Sequence, residues 1–223
     1  MRKTISCVCA FVIGSTLLFS CKGDKKNETE ASAAEETSTA STEAVKYKVN
    51  PSESTIEWVG SKPTGEHTGT ISVESGVIQA KGNTVESGSF LINMKSITVT
   101  DLEGDEKASL EGHLKGMAEG KEDHFFNVAQ YPTAAFEITG VSENGGKQMI
   151  DGNLTIRDTK KNISFPATLT QNGDSMLLTS EPFTINRTEW GVNYGSKSIF
   201  DNLGDKFIDD DIKLVVKVKA SKA

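Results

Sequence analysis

Cysteine is scarce. The 223-residue chain has three, and two of them, Cys7 and Cys9, lie in an apolar N-terminal run. With that run set aside, Cys21 stands alone. An intrachain disulfide, a CxxC redox pair and a cysteine-based metal site are all excluded from the rest. Basic charge is also in short supply. Against 31 Asp and Glu there are 24 Lys and Arg, a net charge of −7 with no basic stripe. This excludes a nucleic-acid surface and a polybasic membrane patch. The three histidines, His67, His113 and His124, show neither H-x-x-x-H nor H-E-x-x-H spacing, so no metal is expected at them. No G-x-S-x-G elbow, phosphate loop or G-x-G-x-x-G fingerprint occurs, and no enzyme is expected. "GGK" at 145–147 reads as a hairpin turn. "DDD" at 209–211 reads as the solvated start of a strand, not a calcium loop. Helical periodicity is almost missing as well. Its one instance is residues 106–117, with Leu110, Leu114 and Met117 at i, i+4 and i+7. That stretch lies in a long connection over about residues 99–124, and such connections usually serve a function.

The N-terminus is a targeting segment. Met1-Arg2-Lys3 is a basic start, and the apolar run that follows to Phe19 is shorter than the ~20 residues of a membrane span. Residues 1–20 read as a signal peptide. The tetrad Leu18-Phe19-Ser20-Cys21 resembles the lipobox of bacterial lipoproteins, in which the signal is cut before the cysteine and its thiol carries diacylglycerol. The resemblance implies an exported lipoprotein of the bacterial cell envelope, periplasmic or outer-membrane anchored, that meets the membrane through Cys21. Residues 22–45 are dominated by Ser, Thr, Ala and Glu. They bury too little to offset their ordering entropy, so 21–45 is expected to be a lipidated cysteine and a disordered tether.

From residue 46 to 223 the pattern has period two. Ile56 and Trp58 flank Glu57; Phe90, Ile92 and Met94 share one side; Phe136 and Ile138 flank Glu137. Leu154 pairs with Ile156, and Ile163, Phe165, Ala167 and Leu169 align. Phe183 aligns with Ile185, and Ile212, Leu214, Val216 and Val218 alternate with lysines. One apolar and one wet face per strand marks antiparallel sheet. Turn signals recur at "VESG" (73–76 and 85–88), "ENGGK" (143–147), "RDTKKN" (157–162) and "QNGD" (171–174). About eight such strands must close into a barrel or pack as a sandwich. An eight-stranded barrel can hold one small ligand, whereas a sandwich fills itself, and periodicity does not separate the two.

Four blocks, in order, carry a resemblance: "HLKG", "DHFFNVAQYPTAAFEITGV", "DGNLTIRDTKKNISFPATL" and "INRTEWGVNYG". Together they resemble the YceI-like family of exported lipid-binding proteins over about residues 46–220. The resemblance implies an all-β, antiparallel, eight-stranded lipocalin-like barrel with one short helix in a long connection. It implies a central cavity for an isoprenoid chain such as a polyprenyl lipid or a quinone. The sequence departs from the family where many members carry Arg-Asp before the His-Leu pair; here Glu111-Gly112 precede His113-Leu114.

The expected cavity lining is Trp58, Phe90, Ile92, Phe125, Phe126, Phe136, Ile138, Phe165, Phe183 and Trp190, with His113, Arg187 and Tyr194 as polar groups near the mouth. The same rings could instead fill an ordinary β core. Of the adjacent Phe125 and Phe126, one is expected inside the barrel and the other beneath Leu110, Leu114 and Met117. Arg187 shares the parity of Ile185 and points inward or to the barrel end. It needs an internal carboxylate or a ligand head group, because a buried guanidinium is costly unpaired. The leading function is carriage or storage of an apolar isoprenoid-type ligand without bond chemistry. The alternatives are an interaction or stress module with a filled barrel, and an unrecognised lipid- or glycan-acting enzyme. No other cofactor and no nucleic-acid partner is expected.

Overall fold

Alternating apolar and polar side chains carry most of the chain into long antiparallel strands. The computed structural model describes residues 29–223. The signal peptide over 1–20, Cys21 and the first part of the tether lie outside the described residues. Eleven strands follow in order: β1 (Ser32–Ala33), β2 (Val45–Val49), β3 (Thr55–Lys62), β4 (Gly65–Lys81), β5 (Thr84–Val99), β6 (Thr133–Asn144), β7 (Lys147–Ile156), β8 (Thr159–Asn172), β9 (Ser175–Ser180), β10 (Phe183–Asn186) and β11 (Asp211–Lys222). Eight of them close a ring, β3-β4-β5-β6-β7-β8-β9-β11 and back to β3, every neighbour antiparallel. This is a barrel fold, and closure leaves no long edge exposed.

Two positions of the ring are shared. β2 takes over from β3 between β4 and β11 at one end. β10 takes over from β9 alongside β11 at the other. The hairpin turns at 81–84, 144–147 and 172–175 lie at the closed end. The β3–β4 turn, the β7–β8 turn and the long segments 99–133 and 187–211 lie at the opposite end.

The two "VESG" stretches are not turns. Both lie inside long strands, and both are β-bulges. Val73 pairs with Ile92 and Ser75 with Leu91, so Glu74 is the extra residue; Gln79 pairs with Ser87 and Ala80 with Val85, so Glu86 is the other. A bulge strengthens the local twist, which suits strands of 17 and 16 residues that must curl around a barrel. The turn between them is Lys81–Thr84, with Gly82 at φ 58°.

The helix α1 (Gly104–Lys115) crosses the open end. Asp105 and Glu106 stand in its first turn and Lys115 in its last, which complements the helix dipole. Gly116 ends it in the left-handed conformation. Glu111 reaches back to accept a hydrogen bond from the backbone N–H of Val99, 2.9 Å. Leu110 and Leu114 pack toward the core. Met117 does not join them: it lies past the glycine cap and is 74% exposed.

Residues 29–44 differ from the disordered tether that their composition predicts. They form a belt across the outside of the barrel. The N–H of Thr29 donates to the Thr184 carbonyl of β10, 3.0 Å, and its hydroxyl bonds Ser164 of β8. Ser32 and Ala33 pair with Asn162 and Lys161 of β8. The side chain of Asn153 on β7 makes two bonds to the backbone of Glu35, at 3.0 and 2.7 Å. Ser38 bonds Ile138 of β6 and Glu86 of β5, and Glu86 also accepts from the Ser41 N–H at 2.7 Å. A composition poor in apolar residues predicts disorder only where apolar burial is the sole source of order. These residues are held by backbone and side-chain hydrogen bonds instead. β8 pairs with β9 only over 167–172, and Thr29 stitches the remaining part of β8 to β10.

Candidate functional site

The inner wall is built from the inward-facing residues of the ring. It encloses a cavity of about 610 Å³, within the range of small-molecule sites. The floor is Ile138, Ile150, Leu178 and Val218. The walls are rings and aliphatic side chains. The mouth is framed by Lys62 and Thr64 of the β3–β4 turn, His67, the helix residues Leu110, His113 and Leu114, the turn residues Phe125 and Phe126, Tyr194, and the segment Asp205–Asp209.

The wall stays hollow although it carries many large rings, and glycines are the reason. A Cβ at Gly69 would come 2.4 Å from Trp58 Cζ2, one at Gly76 2.8 Å from Phe90 Cδ1, and one at Gly152 2.2 Å from Phe136 Cζ. Each ring therefore lies against bare backbone of a neighbouring strand and leaves the centre free. The phenylalanines continue as a chain along the wall. Phe90 and Phe136 are 6.4 Å apart, Phe136 and Phe165 5.5 Å, and Phe165 stacks on Phe183 at 4.5 Å with planes 9° apart. Such contacts add to the area buried.

Trp58, Phe90, Ile92, Phe125, Phe126, Phe136, Ile138, Phe165 and Phe183 all border the cavity, as do His113, Arg187 and Tyr194. Trp190 does not. The strand ends at Asn186, and Arg187–Trp190 form a 3-10 turn that breaks the strand parity. The buried indole packs within the wall, and its N–H donates to the Leu154 carbonyl at 3.0 Å.

Phe125 and Phe126 share one side. They lie on a turn, where alternation does not apply, and both rings reach the cavity. The turn hangs from the end of α1: Phe126 donates its N–H to the Leu114 carbonyl (3.1 Å) and Val128 donates to Lys115 (2.9 Å). These bonds satisfy carbonyls that a helix C-terminus otherwise leaves open.

The polar groups at the mouth fall into two sets. In the first, Arg187 is 2% exposed. Its guanidinium donates to the carbonyls of Asp209 (3.1 Å), Val192 (2.5 Å) and Ile208 (3.1 Å), and it lies 3.6 Å from Asp210 Oδ1. Burial pulls it below the usual guanidinium range, and Asp210 and then Asp209 oppose that pull. Its partner is the protein itself, and it ties the 208–210 segment over the mouth.

The second set is aromatic. His113 Nε2 and His124 Nδ1 are 2.8 Å apart, so one ring donates and the other accepts. His124 stacks on Tyr194 at 4.0 Å, and His113 meets Tyr194 and Phe125 edge-on at 5.0 and 5.1 Å. Burial lowers the pKa of His113, with the nearby charges of His124 and Lys121 adding to it. His67 is separate and bonds Asp101 at 2.8 Å. Among the described residues no three of His, Cys, Asp and Glu gather where they could hold a metal ion. No helix among them is long and apolar enough to cross a membrane.

Several lining positions went unread in the sequence. Leu178 sits on β9, a short strand with no long alternating run. Phe207 and Ile208 belong to a loop. The glycines inside the strand runs were a visible signal, because glycine in a strand often marks close approach of another group.

Residues 47–220 match the family model of the YceI-like domain. A UPF0312 protein of Yersinia pestis (strain Pestoides F) is 31% identical over 94 residues, covering 42% of this chain and 43% of that protein. A UPF0312 protein of Yersinia pseudotuberculosis serotype O:1b gives the same figures. The match thus spans less than half the length of these curated relatives. Among solved structures, Burkholderia cenocepacia BcnA superposes with a TM-score of 0.59 at 19% identity, over 78% of this chain and 99% of that one. A polyisoprenoid binding domain from Saccharophagus degradans gives 0.59 at 15% identity, over 80% and 99%. At these identities the likeness is one of fold.

Proposed function

This chain belongs to the YceI-like domain family, and from that premise we propose that it is a carrier or store for an apolar, isoprenoid-type lipid. The observation that carries the reading is the hollow of about 610 Å³, walled by rings that lie against glycines. An empty apolar hollow loses contacts on every side that a ligand restores. The same hollow weighs against the filled-barrel module. The Saccharophagus degradans domain, of the same fold, is described as polyisoprenoid binding, which agrees in ligand class. The role is binding and not bond chemistry; the mouth histidines bond each other, and His124 stacks on Tyr194 while His113 meets it edge-on. The sequence signals at residues 1–21 support an exported lipoprotein of the bacterial envelope, held to its membrane by a lipid on Cys21.

A brominated prenyl alcohol tests the reading directly. Trp58 borders the cavity and Trp190 does not. In a Trp190→Phe variant, titration with the probe quenches Trp58 saturably, at one probe per chain. Absence of quenching up to the solubility limit of the probe rejects the carrier reading.

A further inference from the structure

Among the described residues the large hydrophobic side chains that stand exposed are Leu91, Met117, Leu177, Tyr194, Ile199 and Phe200. Four of these lie on the loops around the open end. Their exposure is built in. Ile199 and Phe200 both donate their N–H to the carbonyl of Ser196, at 3.3 and 2.9 Å. Ser196 is fully buried, and its hydroxyl lies 2.9 Å from that of Ser198, which bonds Asp210 at 2.6 Å. The Gly195 carbonyl accepts from Ile208, 2.8 Å. A fixed base thus holds two apolar side chains outward. Tyr194 stands in the same loop, borders the cavity and touches His113, His124 and Phe125. Charge does not select the partner, because both signs occur in the segment, Lys197 and Lys206 among Asp201, Asp205 and Asp209. The exposed side chains are apolar and include two aromatic rings, Tyr194 and Phe200, the residue types that favour a membrane interface.

The belt limits how far the barrel can stand from an anchor on Cys21. It fixes Thr29 against Ser164 and Thr184, and Thr184 lies three residues before Arg187 at the mouth. Cys21 lies eight positions before Thr29, a span of at most about 29 Å. An anchor on Cys21 therefore keeps the barrel against its membrane, and four of the six exposed large hydrophobic side chains lie around the open end.

We infer that the open end of the barrel is a bilayer-docking surface: Met117, Tyr194, Ile199 and Phe200 seat on the membrane that holds Cys21, and an apolar lipid passes between bilayer and cavity without crossing water. The inference rests on the carrier and anchor reading above.

The test uses the full chain isolated from membranes and reconstituted into vesicles of phosphatidylethanolamine and phosphatidylglycerol. An environment-sensitive fluorophore is attached at Phe200→Cys, at Ile199→Cys as an independent second site, or at Leu177→Cys away from the mouth. The mouth labels should emit as in an apolar medium and be quenched by spin labels placed within the bilayer. The Leu177→Cys label should emit as in water. Water-like emission at both mouth sites overturns the inference, as does equal quenching at all three sites. Lipid co-purifying with the same samples is assayed separately by mass spectrometry. A loaded cavity with water-like mouth labels removes the docking surface and leaves carriage standing. An empty cavity with quenched mouth labels does the opposite.

Discussion

Trp58 and Gly69 face each other across the β3–β4 pair, and the indole lies so close that any side chain at residue 69 would displace it. The same relationship joins Phe90 to Gly76 and Phe136 to Gly152. Missing Cβ atoms are thus what let a ring-rich wall enclose open space. Gly152→Ala should push Phe136 into the lumen. Overpacking of this kind costs about 1–3 kcal/mol. The variant should bind less of a prenyl probe than the parent, and combining it with Phe136→Leu should restore part of the binding. Isothermal titration and thermal melting read the two effects.

Arg187 holds three backbone carbonyls and lies beside Asp210. Arg187→Ala leaves those buried acceptors without a donor. A loss of about 3 kcal/mol in unfolding free energy is expected. Amide exchange should rise in the 205–210 segment, and denaturant melts with hydrogen-exchange mass spectrometry check both effects.

His113 gives a pH dependence whose sign follows from its environment. Burial, then the charges of His124 and Lys121, lower its pKa from the usual 6.5. The unfolded chain therefore binds a proton more readily than the folded one. The neutral form's stabilising contribution is complete above 6.5 and is lost as pH falls from there toward the folded value. Protonating both rings also removes the acceptor in the His113–His124 bond. Melting temperature should drop between about pH 7 and pH 5, where histidine titrates, and the drop should be smaller in His113→Asn. An equal drop in both proteins contradicts the assignment.

The belt is held by discrete side chains, so it can be released. Asn153→Ala removes both bonds to Glu35. Amide exchange at residues 29–41 should accelerate, with a cost of about 1–2 kcal/mol, while the barrel's own exchange and its probe affinity stay unchanged.

Much of this was readable in the sequence because it depends on period and parity. The alternation of Ile212, Leu214, Val216 and Val218 on β11 places all four on the cavity wall. Most of the expected lining does the same. What failed was local geometry. A bulge and a turn share residue types, so the "VESG" stretches read as punctuation when they are the kinks of two long strands. Trp190 and the Phe125–Phe126 pair lie beyond strand ends, where parity stops. The belt is polar, and polarity alone does not reveal hydrogen-bond partners that lie 45 to 135 residues away in sequence. The glycine–ring pairs were present as letters, but their partners depend on register, which only the folded sheet supplies.

In the cell the hollow of this barrel should be occupied by an oily molecule. Organic extraction of the chain purified from its own membranes, followed by quantitative mass spectrometry, tests it. One prenyl-type lipid per chain is the predicted result. Repeated extracts with no lipid above the level of a control membrane protein contradict the account.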